Sequence, residues 1–162
     1  MSKLKLPAID PATIKANIGN DYPERYGADS ATCERRAMGN ATGLTRFGVN
    51  ITRLPPGCAS AQRHWHKNED EFVYVLEGEI ELVTDSGSQT LKPGMAAGFP
   101  AGKASGHHLV NRSSRDALYL EVGDRQPDDE IEYPGIDLQL TRVEGQETFF
   151  HRDGRPWKPG EK

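Results

Sequence analysis

A chain of 162 residues is long enough for one domain with a full core. Its 20 lysines and arginines stand against 24 acidic residues, a net charge of −4, and neither sign gathers in a long run, which argues against nucleic acid or an anionic membrane as a partner. Seventeen glycines and eleven prolines imply many turns, so a β-rich fold of short strands is favoured over a helical bundle.

Met1 to Pro7 holds no apolar core of the signal-peptide kind and no stretch reaches the length of a membrane span, so a soluble cytoplasmic protein is expected. The two cysteines, Cys33 and Cys58, lie in different segments and form no Cys-x-x-Cys pair. Free thiols are expected of them in a reducing compartment, with a bridge from the N-terminal segment to the main body as the alternative.

Residues 1–43 carry too few large apolar side chains for a core of their own and are read as an arm. Asp10 as N-cap and Pro11 in the first turn predict a short helix through Thr13, Ile14 and Lys15 that stops near Gly19. Tyr22-Pro23-Glu24-Arg25-Tyr26 reads as a loop whose two rings cover apolar surface. From Leu44 to Leu54, Phe47, Val49 and Ile51 alternate with Arg46, Gly48, Asn50 and Thr52, the pattern of a half-buried strand, and Pro55-Pro56-Gly57 ends it. Arg46 and Arg53 fall on opposite faces of that strand. One of them is therefore a candidate to enter the interior and meet a carboxylate or phosphate, a surface ion pair being the plainer reading of each.

The densest chemistry follows. His64 and His66 are two residues apart, so on an extended strand both imidazoles reach one point in space while Trp65 projects the other way. Glu71 comes next and shares a face with Val73 and Val75 in the β-branched and aromatic run Phe72 to Leu76, with Tyr74 on the opposite face. Glu77-Gly78 closes the strand. Glu79 to Thr84 alternates Ile80 and Leu82 with carboxylates, Asp85 to Ser88 reads as a hairpin turn, and Gln89 to Lys92 as the return strand. Pro93-Gly94 and Pro100-Ala101-Gly102 bracket a strand from Met95 to Phe99. His107 to Asn111 and Ala117 to Val122 are two more strands. In the second of them Tyr119 and Glu121 share a face and would offer an acid and a base if that face is inward. Asp124 to Glu130 reads as a solvated linker, Asp137 to Val143 and Glu147 to His151 as two further strands, and the polar tail from Arg152 has Trp157 as its anchor. The chain thus divides into an arm (1–43), a barrel core (44–123) and C-terminal strands with a tail on the same domain (124–162).

At these residues the sequence resembles the cupin superfamily. The first cupin motif, Gly-x5-His-x-His-x(3 or 4)-Glu-x6-Gly, is matched by Gly57, His64, His66, Glu71 and Gly78, with one extra residue after Gly57. The second, Gly-x5-Pro-x-Gly-x2-His-x3-Asn, is answered by Gly94, Pro100, Gly102, His107 and Asn111, with a small insertion before the histidine that contains Lys103. His108 is the alternative to His107, whose spacing to Asn111 fits the motif; Asp70 fits the shorter form of the first motif, but Glu71 alone keeps six residues before Gly78.

The resemblance implies an all-β fold, the cupin double-stranded β-helix or jelly-roll barrel, with an N-terminal arm and C-terminal edge strands. It also implies that His64, His66, Glu71 and His107 surround one divalent transition metal, for which Fe, Mn, Zn, Ni and Co all suit three imidazoles and a carboxylate. Glu71, Tyr119 and Glu121 are then the candidate catalytic residues, acting on a small polar metabolite. Isomerisation of a sugar or sugar phosphate is the leading expectation. An Fe(II)-dependent dioxygenase and a non-catalytic sugar- or effector-binding protein are the alternatives, and a homodimer is the expected assembly.

Overall fold

The structure is a computed structural model and describes residues 4–158, 160 and 161. Among the described residues thirteen strands form three antiparallel sheets. The largest takes the order β1 (Asn17–Ile18), β2 (Glu34–Ala37), β3 (Phe47–Leu54), β10 (Ala117–Asp124), β5 (Glu71–Glu77), β8 (Ala96–Phe99). A three-stranded sheet runs β7 (Gly87–Leu91), β6 (Ile80–Thr84), β9 (His107–Val110). The remaining sheet runs β13 (Gln146–Phe150), β12 (Gln139–Val143), β11 (Asp129–Glu132), β4 (Trp65–His66).

The strand alternation decides what lies between the layers. Val73 and Val75 of β5, Leu54 of β3, and Ala117 and Tyr119 of β10 meet Ile80, Leu82, Leu91 and Leu109 from the three-stranded sheet in one buried cluster. Each full burial of a Val, Leu or Ile side chain contributes about 1.5–3 kcal/mol, so this interlayer contact is the main source of stability. Tyr74 points out of the barrel, as its place between Val73 and Val75 requires. Cys33 and Cys58 are both free and both sit in this cluster. Among the described residues no helix is long and apolar enough to cross a membrane.

The arm is mostly extended. Asp10 caps a single 3-10 turn, Pro11–Thr13, with its Oδ1 accepting from Ala12 N at 3.0 Å. The turn ends at Ile14 and does not continue to Gly19, because Asn17 and Ile18 pair instead with Arg35 and Glu34 of β2. β2 in turn pairs with β3, so the arm widens the large sheet. Tyr22 and Tyr26 lie on a second apolar cluster of Ile131, Tyr133, Leu138 and Leu140, together with Phe149 and Trp157.

Two boundaries differ from the sequence pattern in a way that matters. The hairpin between β6 and β7 turns on two residues, Asp85 and Ser86, with Thr84 opposite Gly87, so the return strand starts two residues earlier than its apolar pattern predicts. The expected linker Asp124 to Glu130 is not a linker throughout. β10 extends to Asp124, and Asp129 opens β11, in which Asp129 and Ile131 are buried while Glu130 is exposed, and Tyr133 just beyond the strand is buried too. A period of two in Asp-Glu-Ile-Glu-Tyr is hidden because its first inward residue is a carboxylate.

Candidate metal centre

Four strand positions bring the candidate ligands together. His64 and His107 form an antiparallel bridge, with His64 N donating to His107 O at 3.1 Å and His107 N to His64 O at 2.8 Å. His66 is opposite Ile131 of β11, and Glu71 begins β5. Their side chains converge on one oxygen. Glu71 Oε2 lies 3.0 Å from His107 Nε2, 3.5 Å from His66 Nε2 and 3.7 Å from His64 Nε2. The ligating atoms of His64, His66 and Glu71 fall within 4.8 Å of one another.

The partners on the far sides of the rings fix their tautomers. His64 Nδ1 is 2.7 Å from Gln62 O, which can only accept, so Nδ1 carries the hydrogen and Nε2 keeps its lone pair. His66 Nδ1 is 2.6 Å from Asp129 Oδ2, with the same result. Asp129 is held by a second contact, from Asn68 N to Oδ1 at 2.9 Å. Two imidazole lone pairs and a carboxylate thereby face each other, which is the arrangement a cation relieves. These residues can hold a metal ion. His107 adds a third imidazole, stacked on Phe99 at 3.6 Å between centroids, and its buried Nδ1 has no hydrogen-bond partner among the described residues.

The ionisation of the cluster follows from the same contacts. Burial acts to raise the Glu71 carboxyl, but the hydrogen bond from His107 and the nearby imidazoles of His64 and His66 outweigh it and hold that carboxyl well below the usual range. Burial pulls His107 below an ordinary histidine. For His66 burial acts the same way, yet the hydrogen bond to Asp129 wins and the ring is raised. Burial opposes the fall of Asp129, which the His66 contact brings about.

Tyr119 and Glu121 do face inward. The Tyr119 hydroxyl donates to Glu121 Oε2 at 3.1 Å, and both line a cavity of about 510 Å3 together with His64, His66, Glu71 and His107. Burial, followed by the Glu121 charge, raises Tyr119 well above an ordinary phenol. His108 bonds Ala61 O through Nδ1 at 3.0 Å on the other face of β9, away from the Glu71 oxygen. Asp70 is exposed, and its Oδ1 accepts from Ala101 N at 2.7 Å. Lys103 is exposed and lines a further cavity that shares His66, Glu71, Phe99 and His107 with the main one.

Neither arginine of β3 and its approach supplies the inward cation. Arg46 is exposed, and Arg53 forms ion pairs with Glu34 and with Asp116. The guanidinium in the cavity wall is that of Arg35, from the arm, whose Nε donates to Glu121 Oε1 at 3.1 Å. Arg35 sits in Cys33-Glu34-Arg35-Arg36, where only the apolar Cys33 two residues earlier marks the inward face. Asp129, the other functional residue missed, carries the weak signal of the strand alternation described above.

A barrel of facing antiparallel sheets, with three imidazoles and a carboxylate gathered inside it, defines the class: a small β-barrel protein equipped to hold one metal ion. Residues 50–123 match the family model of the cupin domain, and the chain belongs to the cupin superfamily. The crystal structure of a sugar phosphate isomerase from the cupin superfamily of Silicibacter pomeroyi is 39% identical, covering 94% of this chain and 97% of that one with a TM-score of 0.90. A protein of Acidithiobacillus ferrooxidans whose name proposes the same activity is 27% identical over 82% of this chain and 83% of its own, with a TM-score of 0.72. The polyketide cyclase RemF of Streptomyces resistomycificus, 22% identical over 82% and 87% with a TM-score of 0.66, shares the fold. A search of curated proteins finds no match.

Proposed function

We propose that the protein is a metal-dependent isomerase of a sugar or sugar phosphate, with His64, His66, Glu71 and His107 as ligands of one divalent transition metal. The observation that carries this reading is the convergence of the three Nε2 atoms on Glu71 Oε2 in the wall of the cavity that also holds Tyr119 and Glu121. The likeness to a protein named sugar phosphate isomerase supports the substrate class. A bound divalent ion supplies an electrophile for a carbonyl and its neighbouring hydroxyl.

The chain's own groups then move a proton between adjacent carbons. Glu121 is the assigned acceptor. It receives Arg35 Nε at 3.1 Å, Asn50 Nδ2 at 2.9 Å, Thr52 Oγ1 at 3.4 Å and the Tyr119 hydroxyl at 3.1 Å, which hold it in one orientation. To take a proton it must release one of these donors, and Thr52 is the loosest. Tyr119 remains a neutral phenol and donates to whichever charge state Glu121 adopts. Glu71 stays an anion beside the imidazoles.

The test combines elemental analysis of untagged protein with incorporation of solvent deuterium into a panel of aldoses, ketoses and their phosphates, followed by NMR. Near-stoichiometric metal, lost in His66→Ala, and metal-dependent deuterium uptake at the carbon beside the carbonyl are expected. Metal binding without exchange on any member of the panel would overturn the isomerase assignment. Oxygen consumption by the iron-loaded protein would replace it with an oxygenase.

A further inference from the structure

The charge of the cavity beside the three imidazoles is wrong for a phosphate ester. Asp21, Glu71, Glu121 and Glu147 line it, and among the described residues Arg35 is the sole arginine or lysine in the lining. Glu147 is paired with Arg142, so Asp21, Glu71 and Glu121 stand against Arg35, an excess of two negative charges that a divalent ion among the ligands would cancel without leaving a positive field for an anion. Nor is Arg35 uncommitted. Its Nε is bound to Glu121, a carboxylate whose two oxygens already take four donors.

The neighbouring cations add no clustered anchor, for Lys103, in a further cavity that shares His66, Glu71 and His107, is a single exposed ammonium. Arg142 is neutralised twice, by Glu69 at 2.5 Å and by Glu147 at 2.8 Å. Arg125 is exposed and donates to Leu44 O and Asn40 Oδ1 at the rim of an adjoining cavity, where Glu69, Glu71, Glu121 and Asp124 outnumber it and Arg142. Recognition of a phosphate uses bidentate guanidinium contacts or clustered cations, and the described residues gather no such pair free of carboxylates.

What the main cavity does offer is suited to a neutral polyol. Tyr22 stands 5.8 Å from Tyr133 and 5.7 Å from Phe149, centroid to centroid, so three rings make an apolar wall for the C–H face of a sugar. Asn17, Ser60 and the carboxylates give hydroxyl partners on the other sides. We infer that the substrate is an uncharged sugar, bound without a phosphate anchor. The inference rests on the proposed isomerase reading for the reaction, but its binding claim is tested separately.

The probes are xylitol and sorbitol, their phosphate monoesters, and inorganic phosphate, titrated calorimetrically into the zinc-loaded full chain. Inorganic phosphate measures direct ligation of the ion. The polyols are expected to bind at least tenfold tighter than their esters in low salt, with ester binding strengthening as salt screens the repulsion. An ester that binds tighter than both its parent polyol and inorganic phosphate, and weakens with salt, would overturn the inference. So would a failure of the polyols to bind at all. If the polyols bind as expected and no sugar exchanges deuterium, the isomerase reading falls while this inference stands. If the polyol phosphates bind tightest and the sugar phosphates exchange deuterium, the reverse holds.

Discussion

Asp129 Oδ2 lies 2.6 Å from His66 Nδ1 across 63 residues of sequence, and it ties a strand outside the matched domain segment to the centre of the barrel. Asp129 is only 1% exposed, so its charge has no water to satisfy it and depends on His66 and on Asn68 N. The carboxylate fixes which nitrogen of His66 faces Glu71 and makes that nitrogen a stronger donor.

Asp129→Asn is therefore expected to weaken metal affinity by about 10–100-fold, measured by competition with a chelator, while circular dichroism stays that of the wild type. The amide oxygen still accepts from His66, so loss of the charge is the change being read. An unchanged affinity would show that His66 needs no carboxylate behind it.

The residues of the candidate metal centre could be picked out because the cupin motif orders them and a strand's period of two sets His64 and His66 on one face. His64, His66, Glu71 and His107 interrupt apolar strands at inward positions, and the glycine turns fix their register. Tyr119 and Glu121 followed from the same alternation, though whether their face was inward had to be seen. Asp129 and Arg35 were not legible, because each belongs to a strand with few apolar residues whose inward face is set by pairing with a distant partner. Sequence spacing also left Arg46 and Arg53 open as inward cations. Pairing of β2 with β3 settles it by placing Glu34 opposite Arg53 at the surface.

The pair Tyr119 and Glu121 gives a second prediction. Tyr119→Phe removes one of four donors to Glu121, at a stability cost of about 1 kcal/mol, and is expected to slow deuterium exchange by about 100-fold if the phenol shares in proton transfer. Glu121→Gln is expected to slow it at least as far with metal content unchanged. Full activity in Tyr119→Phe beside an inactive Glu121→Gln would reduce the phenol to a brace for the carboxylate.

Gly78 closes β5 with φ of +76°, and a Cβ there would stand 2.6 Å from Asp116 O and 2.8 Å from Ala117 Cα. Both neighbours are backbone, so neither can swing away. Gly78→Ala should cost about 2–4 kcal/mol, the strain of a left-handed alanine added to an overpacked contact. Gly57 has φ of +80° but nothing within 4 Å of its Cβ position, so Gly57→Ala should cost only about 1 kcal/mol. Urea denaturation of the two variants separates collision from strain, and equal losses would refute the collision.

Cys33 shows how the core responds to alkali. Burial pushes its thiol up to about 12 from 9.0, with Arg35 opposing, so between those values the unfolded chain releases a proton that the folded chain retains. The unfolded state then binds fewer protons, and stability must fall as pH rises through that window. For one group the slope is at most about 1.4 kcal/mol per pH unit. Cys33→Ala removes this contribution and leaves those of the buried phenols Tyr119 and Tyr133, which are raised as well. Urea midpoints measured from pH 8 to pH 10.5 should therefore decline less steeply in the variant than in the wild type, although the variant starts lower because it loses a buried sulfur. Parallel declines would show that Cys33 titrates in the folded protein as it does in the unfolded one.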